Sequence, residues 1–279
     1  MQVLLTGADG FTGIYVQRAL EAAGHTSVAF TADLRDGGAV KAALQGLQFD
    51  AVLHLAAQAF VAHNDANEFY DVNLKGTNTL LDVLSERADT LQALILASTA
   101  AVYGNRREGV LSEDMVPDPV GHYAVSKLAM EHASRVFSAL PISIVRPFNY
   151  TGVGQSPKFV IPKIVSHFAE KKPRLELGNT DVYREFGDVR AVAEIYVRLL
   201  EARPSGVVVN LCTGTPYALR DVIDMCEQIS GHTLEIDVNP AFVRAQEVKS
   251  LTGDPSRLTS VIGALPDYTL RDTLTWMLD

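Results

Sequence analysis

Gln2-Val3-Leu4-Leu5-Thr6-Gly7-Ala8-Asp9-Gly10-Phe11-Thr12-Gly13 opens the chain, and the fold follows from how this stretch is read. Gln2–Leu5 is a short apolar run of strand length, and Phe11–Ala23 follows as a helix that Gly24 is placed to end. Between them the glycines are spaced G-x-x-G-x-x-G. Gly7 permits a tight turn, Gly10 lets backbone approach a pyrophosphate, and Gly13 lets helix and strand pack closely. A plain strand-to-helix turn can look the same, so the loop needs support from the rest of the chain.

Outward from this unit, strand-like and helix-like stretches alternate. Ser27–Phe30 precedes Asp36–Leu47, Ala51–Ala56 precedes Asn73–Glu86, and Ala93–Ala97 precedes Tyr123–Ala139, with Ile142–Arg146 as a buried strand before Pro147. Such alternation predicts an α/β fold, a Rossmann-like doubly wound parallel sheet with helices on both faces. Beyond about residue 150 the pattern is broken by Gly152, Gly154, Pro157, Pro162 and Pro173. Val207–Leu211 reads as one more core strand, and Leu219–Ser230 and Leu270–Leu278 read as helices. The expected division is a dinucleotide-binding domain over 1–150, joined by 187–211, and a smaller C-terminal α/β substrate domain over 151–186 and 212–279.

With 279 residues, 47% hydrophobic and 20% charged, the chain has a globular composition and enough length for a large core. A net charge of −9 with no run of Lys or Arg argues against a nucleic-acid or anionic-membrane partner. An anionic small molecule stays open, because local arginines and a helix N-terminus act over a few ångströms. Cys212 and Cys226 are too few for a disulfide framework, and neither they nor the seven histidines have metal-ligand spacing. His54 reads as part of a cofactor-lining strand. No basic leader precedes the glycine loop and no apolar run approaches membrane length, so a cytoplasmic protein is expected.

A dinucleotide site needs an acid near the adenosine, and Asp33 lies 20 residues after Gly13, close to the usual interval. The first two strand–helix units are short, however, so one crossover is trimmed. Asp33 either ends the second strand or sits in a following loop near the adenine, and a merely solvated carboxylate is the plain alternative. Arg35 nearby keeps the phosphate-bearing coenzyme open.

Tyr123-Ala124-Val125-Ser126-Lys127 puts a phenol and an ammonium on one helix face. A phenol with its ordinary pKa of about 10 is a weak acid–base catalyst near neutrality, and a neighbouring ammonium lowers that value. Alone, such a pair is more often a surface feature. Ser98-Thr99-Ala100-Ala101-Val102-Tyr103-Gly104 changes the balance, since it follows an apolar strand and brings hydroxyls to the carboxyl edge of the sheet, where α/β ligands bind. Turn capping would use the same hydroxyls.

The glycine loop, His54-Leu55-Ala56-Ala57-Gln58, Asn73, Ser98–Gly104 and Tyr123–Lys127, in this order and at these intervals, resemble the extended short-chain dehydrogenase/reductase family of nucleotide-sugar epimerases, dehydratases and reductases. The resemblance runs over nearly the whole chain. It implies Thr99, Tyr123 and Lys127 as the catalytic set, with Lys127 also holding the nicotinamide ribose. It implies a coenzyme, NADP or NAD, bound by Gly7, Gly10, Phe11, Thr12, Gly13, Asp33, Leu34, Leu55, Ala56, Ala57, Asn73, Ser98, Tyr123, Lys127 and Pro147, and a homodimer. A helix bearing Val125, Leu128, Ala129, Val136 and Phe137 would suit that dimer, although core packing explains the same residues nearly as well.

Dehydratases of this family carry acids just after the catalytic Thr; here Ala100 and Ala101 stand there, and methyl groups cannot move protons. Arg146–Pro157, Gly178-Asn179, Arg184–Arg190 and Gly253–Leu258 resemble segments of GDP-4-keto-6-deoxy-D-mannose reductases. By that similarity Thr99, Asn149, Arg184, Arg244 and Glu247 would contact the GDP-sugar, and guanidinium forks suit a diphosphate. An exposed ion pair is the alternative for each arginine. Glu185 where an Asp is usual, and Gly121-His122 where Ser-Pro is common, depart from the pattern. The expected reaction is NAD(P)H-dependent reduction of the 4-keto group of a GDP-linked 4-keto-6-deoxy sugar, giving GDP-D-rhamnose or its 4-epimer. The alternatives are an NAD-dependent nucleotide-sugar 4-epimerase and, from another class, a non-catalytic dinucleotide sensor.

Overall fold

Val3 and Leu5 face one side of the first strand and Leu4 the other, and all three are fully buried. A strand covered on both faces belongs inside a sheet with helices above and below. The computed structural model, which describes residues 1–60, 65–105, 109–240 and 249–279, has that architecture. Strand β1 (Gln2–Thr6) leads to helix α1 (Phe11–Ala22), β2 (Thr26–Phe30), α2 (Gly37–Leu44) and β3 (Ala51–His54). A helical run follows: α3 (Ala66–Tyr70), a π-helical turn (Asp71–Gly76) and α4 (Thr77–Ser85). Then come β4 (Ala93–Ala97), a 3₁₀ turn (Ala100–Tyr103), β5 (Gly109–Leu111), α5 (His122–Ser134), β6 (Ile142–Pro147) and β7 (Tyr150–Thr151).

The remainder comprises α6 (Val160–Ala169), β8 (Arg174–Leu177), β9 (Tyr183–Arg184), β10 (Gly187–Asp188), α7 (Val189–Ala202) and β11 (Val208–Leu211), followed by β12 (Tyr217–Ala218) and α8 (Leu219–Ser230). Last are β13 (Glu235–Val238), β14 (Ser250–Gly253), α9 (Ser256–Ile262) and α10 (Leu270–Leu278). The main sheet is parallel throughout, in the order β11-β6-β4-β3-β1-β2. Its chain order reverses on either side of β1, so α1 and α7 cover one face and α2, α4 and α5 the other. A separate core forms where Ile164 and Phe168 of α6, Val222 and Cys226 of α8, and Leu274 of α10 meet Leu175 and Leu177 of β8.

The structure differs from the sequence expectation in several elements, among them α2, which ends at Leu44, and β3, which ends at His54. Helix α5 stops at Ser134 and not Ala139, because its end tightens into i→i−3 bonds from Arg135, Val136 and Phe137. Val136, 82% exposed, therefore lies past the helix whose face it was expected to share. The helix expected from Asn73 begins earlier, at Ala66, and passes through the π turn. Pro162, read as a break, lies in the first turn of α6, where a missing N–H costs nothing. Both cysteines are free and buried. Among the described residues no helix is long and apolar enough to cross a membrane.

Candidate active site

The glycine turn has the shape its spacing requires. Gly7 is left-handed at φ +69°, and a Cβ there would come within 2.9 Å of the Ala56 nitrogen. A Cβ on Gly13 would lie 2.1 Å from the Gly7 carbonyl oxygen, so only glycine lets α1 press against the end of β1. Gly10, the residue before α1, caps it without any side-chain acceptor, leaving first-turn N–H groups for an anion. Beside the turn lies a cavity of about 460 Å³ lined by Gly7, Ala8, Phe30, Ala32, Leu34 and Ala56. A polar, uncapped helix end next to a mostly apolar hollow fits a pyrophosphate joined to an adenosine.

Asp33 lies beyond the end of β2, in the loop, which settles the alternative left open by the sequence. Its carboxylate is half exposed and held by Arg35, Nε to Oδ1 at 2.9 Å and Nη2 to Oδ2 at 2.7 Å. These bonds hold its pKa down at about 2. The crossover is indeed short: α2 has eight residues and begins where Asp36 Oδ1 accepts from the Ala39 N–H.

At the end of β3, His54 is buried between the hydroxyls of Thr6 at 2.7 Å and Thr77 at 2.9 Å. Burial, with the nearby Lys127 charge, lowers its pKa to about 3. It is a neutral tie between β1, β3 and α4, and its ring does not reach into the cavity beside the glycine turn. Leu55, Ala56 and Ala57 follow it half-buried, and the Ala56 N–H donates to Thr6 Oγ1 at 3.0 Å. Asn73, turned inward on the π turn, donates to the Gln58 carbonyl and to Ser126 Oγ, each at 3.0 Å, and accepts from the Gln58 N–H at 2.8 Å. Both its donors serve the protein, so it braces α5 against the loop after β3 and has only an acceptor left for a coenzyme.

The strand β4 ends on the residues that meet α5. The Thr99 side chain hydrogen-bonds the Tyr123 phenol. Lys127 is buried and donates from Nζ to the Ala97 carbonyl at 2.7 Å. Burial lowers the Lys127 pKa to about 8, opposed by Glu131. Burial first, and then Tyr150, push Tyr123 up to about 12, against the Thr99 bond. Lys127 is not among the leading influences on the phenol, contrary to the sequence expectation, because its ammonium is turned to the Ala97 carbonyl and desolvation dominates. The Ser98 hydroxyl is turned into the protein and donates to Glu131 Oε1 at 2.5 Å.

Two expected coenzyme contacts, Phe11 and Thr12, face Tyr150. Thr12 Oγ1 lies 2.7 Å from the Tyr150 hydroxyl, and the Phe11 ring stacks on Tyr150 with centroids 6.1 Å apart. Pro147 ends β6 half-buried, beside Phe148 and the exposed Asn149. Arg184 on β9 donates to the Tyr183 carbonyl at 2.7 Å. Glu185 is buried and accepts from the N–H groups of Thr213 at 2.6 Å and Gly253 at 2.5 Å, so it knots β9, β14 and the end of β11. Arg244 and Glu247 lie outside the described residues. The sequence reading gave no role to Tyr150 or Glu131; for Glu131 the signal was its place one helical turn after Lys127.

Residues 23–277 match the GDP-mannose 4,6 dehydratase family. The chain belongs to that family, within the extended short-chain dehydrogenase/reductases. It is 37% identical over 270 residues to GDP-6-deoxy-D-talose 4-dehydrogenase of Aggregatibacter actinomycetemcomitans, covering 94% of this chain and 92% of that one. It is 34% identical over 294 residues to GDP-6-deoxy-D-mannose reductase of Pseudomonas aeruginosa, covering 99% and 96%. The structure of RMD from P. aeruginosa complexed with NADPH superposes with a TM-score of 0.89 at 32% identity, covering 99% of this chain and 96% of that one. In this member of a family of nicotinamide-dependent enzymes, Thr99, Tyr123 and Lys127 come together at the end of β4, and Ala100 and Ala101 follow Thr99.

Proposed function

We propose that this protein reduces the 4-keto group of a GDP-linked 4-keto-6-deoxy hexose, using NADPH or NADH, to give GDP-D-rhamnose or its 4-epimer. The observation that carries the reading is the meeting of Thr99, Tyr123 and Lys127 at the carboxyl end of β4, beyond the glycine turn, with two alanines in place of dehydratase acids. A reduced nicotinamide held on the glycine turn would supply the hydride for C4. Tyr123 gives its proton to the oxygen as negative charge develops there. A phenol held near 12 is fully protonated at neutral pH, the form a proton donor needs. Thr99 donates to the same oxygen, and the Lys127 ammonium, held at the Ala97 carbonyl, adds a positive charge one helical turn from the phenol. Water then returns a proton to Tyr123.

Asn149 and Arg184 are proposed to hold the nucleotide diphosphate, together with Arg244, and Glu247 the sugar or ribose. The corresponding division puts the coenzyme on 1–150 with 187–211, and the sugar nucleotide on 151–186 with 212–279. A homodimer in the cytoplasm completes the proposal.

The test is to mix the protein with GDP-4-keto-6-deoxy-D-mannose and NADPH or NADH and follow loss of reduced coenzyme. Consumption matched one for one by product supports the reductase. Relatives named as UDP-glucose 4-epimerases, 24–26% identical, favour a second reading, an NAD-dependent 4-epimerase using the same residues. Interconversion of 4-epimers with no coenzyme consumed would establish that reading instead.

A further inference from the structure

Tyr123 and Lys127 share their helix face with a third residue that the reaction above leaves unused. Glu131 lies one turn further along α5 and is 1% exposed. Arg146 donates to it twice, Nε to Oε1 at 3.0 Å and Nη2 to Oε2 at 2.7 Å. Arg146 is itself pinned, giving Nη1 to the Tyr103 hydroxyl at 3.0 Å, and Tyr103 passes the chain on to Asn210 Oδ1 at 2.7 Å. Opposite the helix stand three consecutive residues. The Ala97 carbonyl takes Lys127, the Ser98 hydroxyl takes Glu131, and Thr99 bonds Tyr123. Three successive turns of α5 thus grip three successive residues at the end of β4, with the carboxylate on the middle one.

We propose that Glu131 is a positioning residue for the Tyr–Lys pair: through Ser98 it fixes the flanking Ala97 carbonyl and Thr99 hydroxyl, and its carboxylate stands one helical turn from Lys127 on the same face of α5. The consequence for turnover rests on the reading of Tyr123 and Lys127 as the reacting pair; the electrostatic part stands without it. Around Lys127 the other titratable groups are neutral or paired. His54, from β3, is held neutral by burial. Tyr123, on α5 itself, is a neutral phenol. Arg146, from β6, is a cation taken up by Glu131 and the Tyr103 hydroxyl. Glu131 is the influence that favours it.

Glu131→Gln separates the two roles, because an amide oxygen can still accept from Ser98 but carries no charge. Lysine labelled with ¹³C at Cε reads Lys127 directly in the coenzyme-free protein, its resonance assigned by disappearance in Lys127→Met. The wild-type midpoint is expected near 8. In Glu131→Gln it should fall by about one pH unit, a tenfold loss of proton affinity, and Glu131→Asp should restore most of it. A midpoint that stays put overturns the proposal. Glu131→Gln leaves Arg146 without its counter-ion, so Ser98→Ala, which keeps the ion pair, is the second variant. Its kcat is expected to drop roughly tenfold with KM unchanged, since small misplacement of reacting groups is costly; unchanged kcat overturns the positioning role. If the wild type proves unable to reduce the 4-keto sugar, the proposed function fails while the lysine titration still decides for or against Glu131.

Discussion

Tyr123, Lys127 and His54 lie within one buried neighbourhood, and burial acts on each according to the charge it would carry. The phenol is kept neutral, the ammonium is weakened toward about 8, and the imidazole is kept neutral down to about 3. For Tyr123→Phe, kcat should fall by about 10²–10⁴-fold, the usual contribution of a placed proton donor, while coenzyme binding followed by fluorescence stays within a few-fold. Full activity in that variant would remove the phenol from the reaction. His54 makes a prediction about stability. Between pH 6.5 and about 3 the unfolded chain binds a proton at His54 that the folded chain refuses, so stability present above 6.5 is lost as pH falls through that window. Urea midpoints should therefore decline more steeply from pH 7 to 4 in the wild type than in His54→Gln; parallel declines would contradict it. The identities of Thr99, Tyr123 and Lys127 were legible from type and spacing. Their protonation was not, because a spacing rule contains no desolvation, and the sequence reading credited Lys127 with an effect that burial outweighs.

Among the elements, the glycine turn and the strands β1, β3, β4 and β6 were readable because both ends of each were marked: apolar runs on one side, glycine, proline or polar residues on the other. Helix α6 was not, since Pro162 looks like a stop unless it is known to fall in a first turn, and α7 was passed over although eight of its fourteen residues are buried. The loop after β2 bears on coenzyme choice. Asp33 and Arg35 face each other there, so the acid that would accept from a ribose hydroxyl also occupies the guanidinium that would take a phosphate. Asp33→Ser should release Arg35 and raise the NADPH-to-NADH ratio of kcat/KM by on the order of tenfold. A ratio that does not move would place coenzyme choice elsewhere.

Across the whole molecule, contacts from the first helix reach the last. The Tyr15 hydroxyl donates to the Val153 carbonyl at 2.7 Å, and its ring meets Trp276 of α10 edge-on at 5.8 Å. Tyr150 makes the parallel link nearer the site, from Thr12 and Phe11 toward Tyr123. In Tyr150→Phe the bond to Thr12 is lost and the stacking kept, so the coenzyme KM should rise several-fold with the fold intact by circular dichroism; an unchanged KM would confine Tyr150 to packing. None of these ties was visible beforehand, because all of them except the approach of Tyr150 to Tyr123 join residues more than a hundred positions apart, and no periodicity encodes them.

The strand β11 has a consequence for how the protein comes into being. It is made after α6 and α7, yet it is the outer neighbour of β6. A nascent chain that has emerged only as far as residue 150 carries every glycine of the coenzyme turn and both residues of the Tyr–Lys pair, but β6 still has a bare row of backbone donors and acceptors along one side. Such a fragment, expressed alone, is an invitation to pair with its own copies, and that side of β6 is covered only once Leu211 has been added.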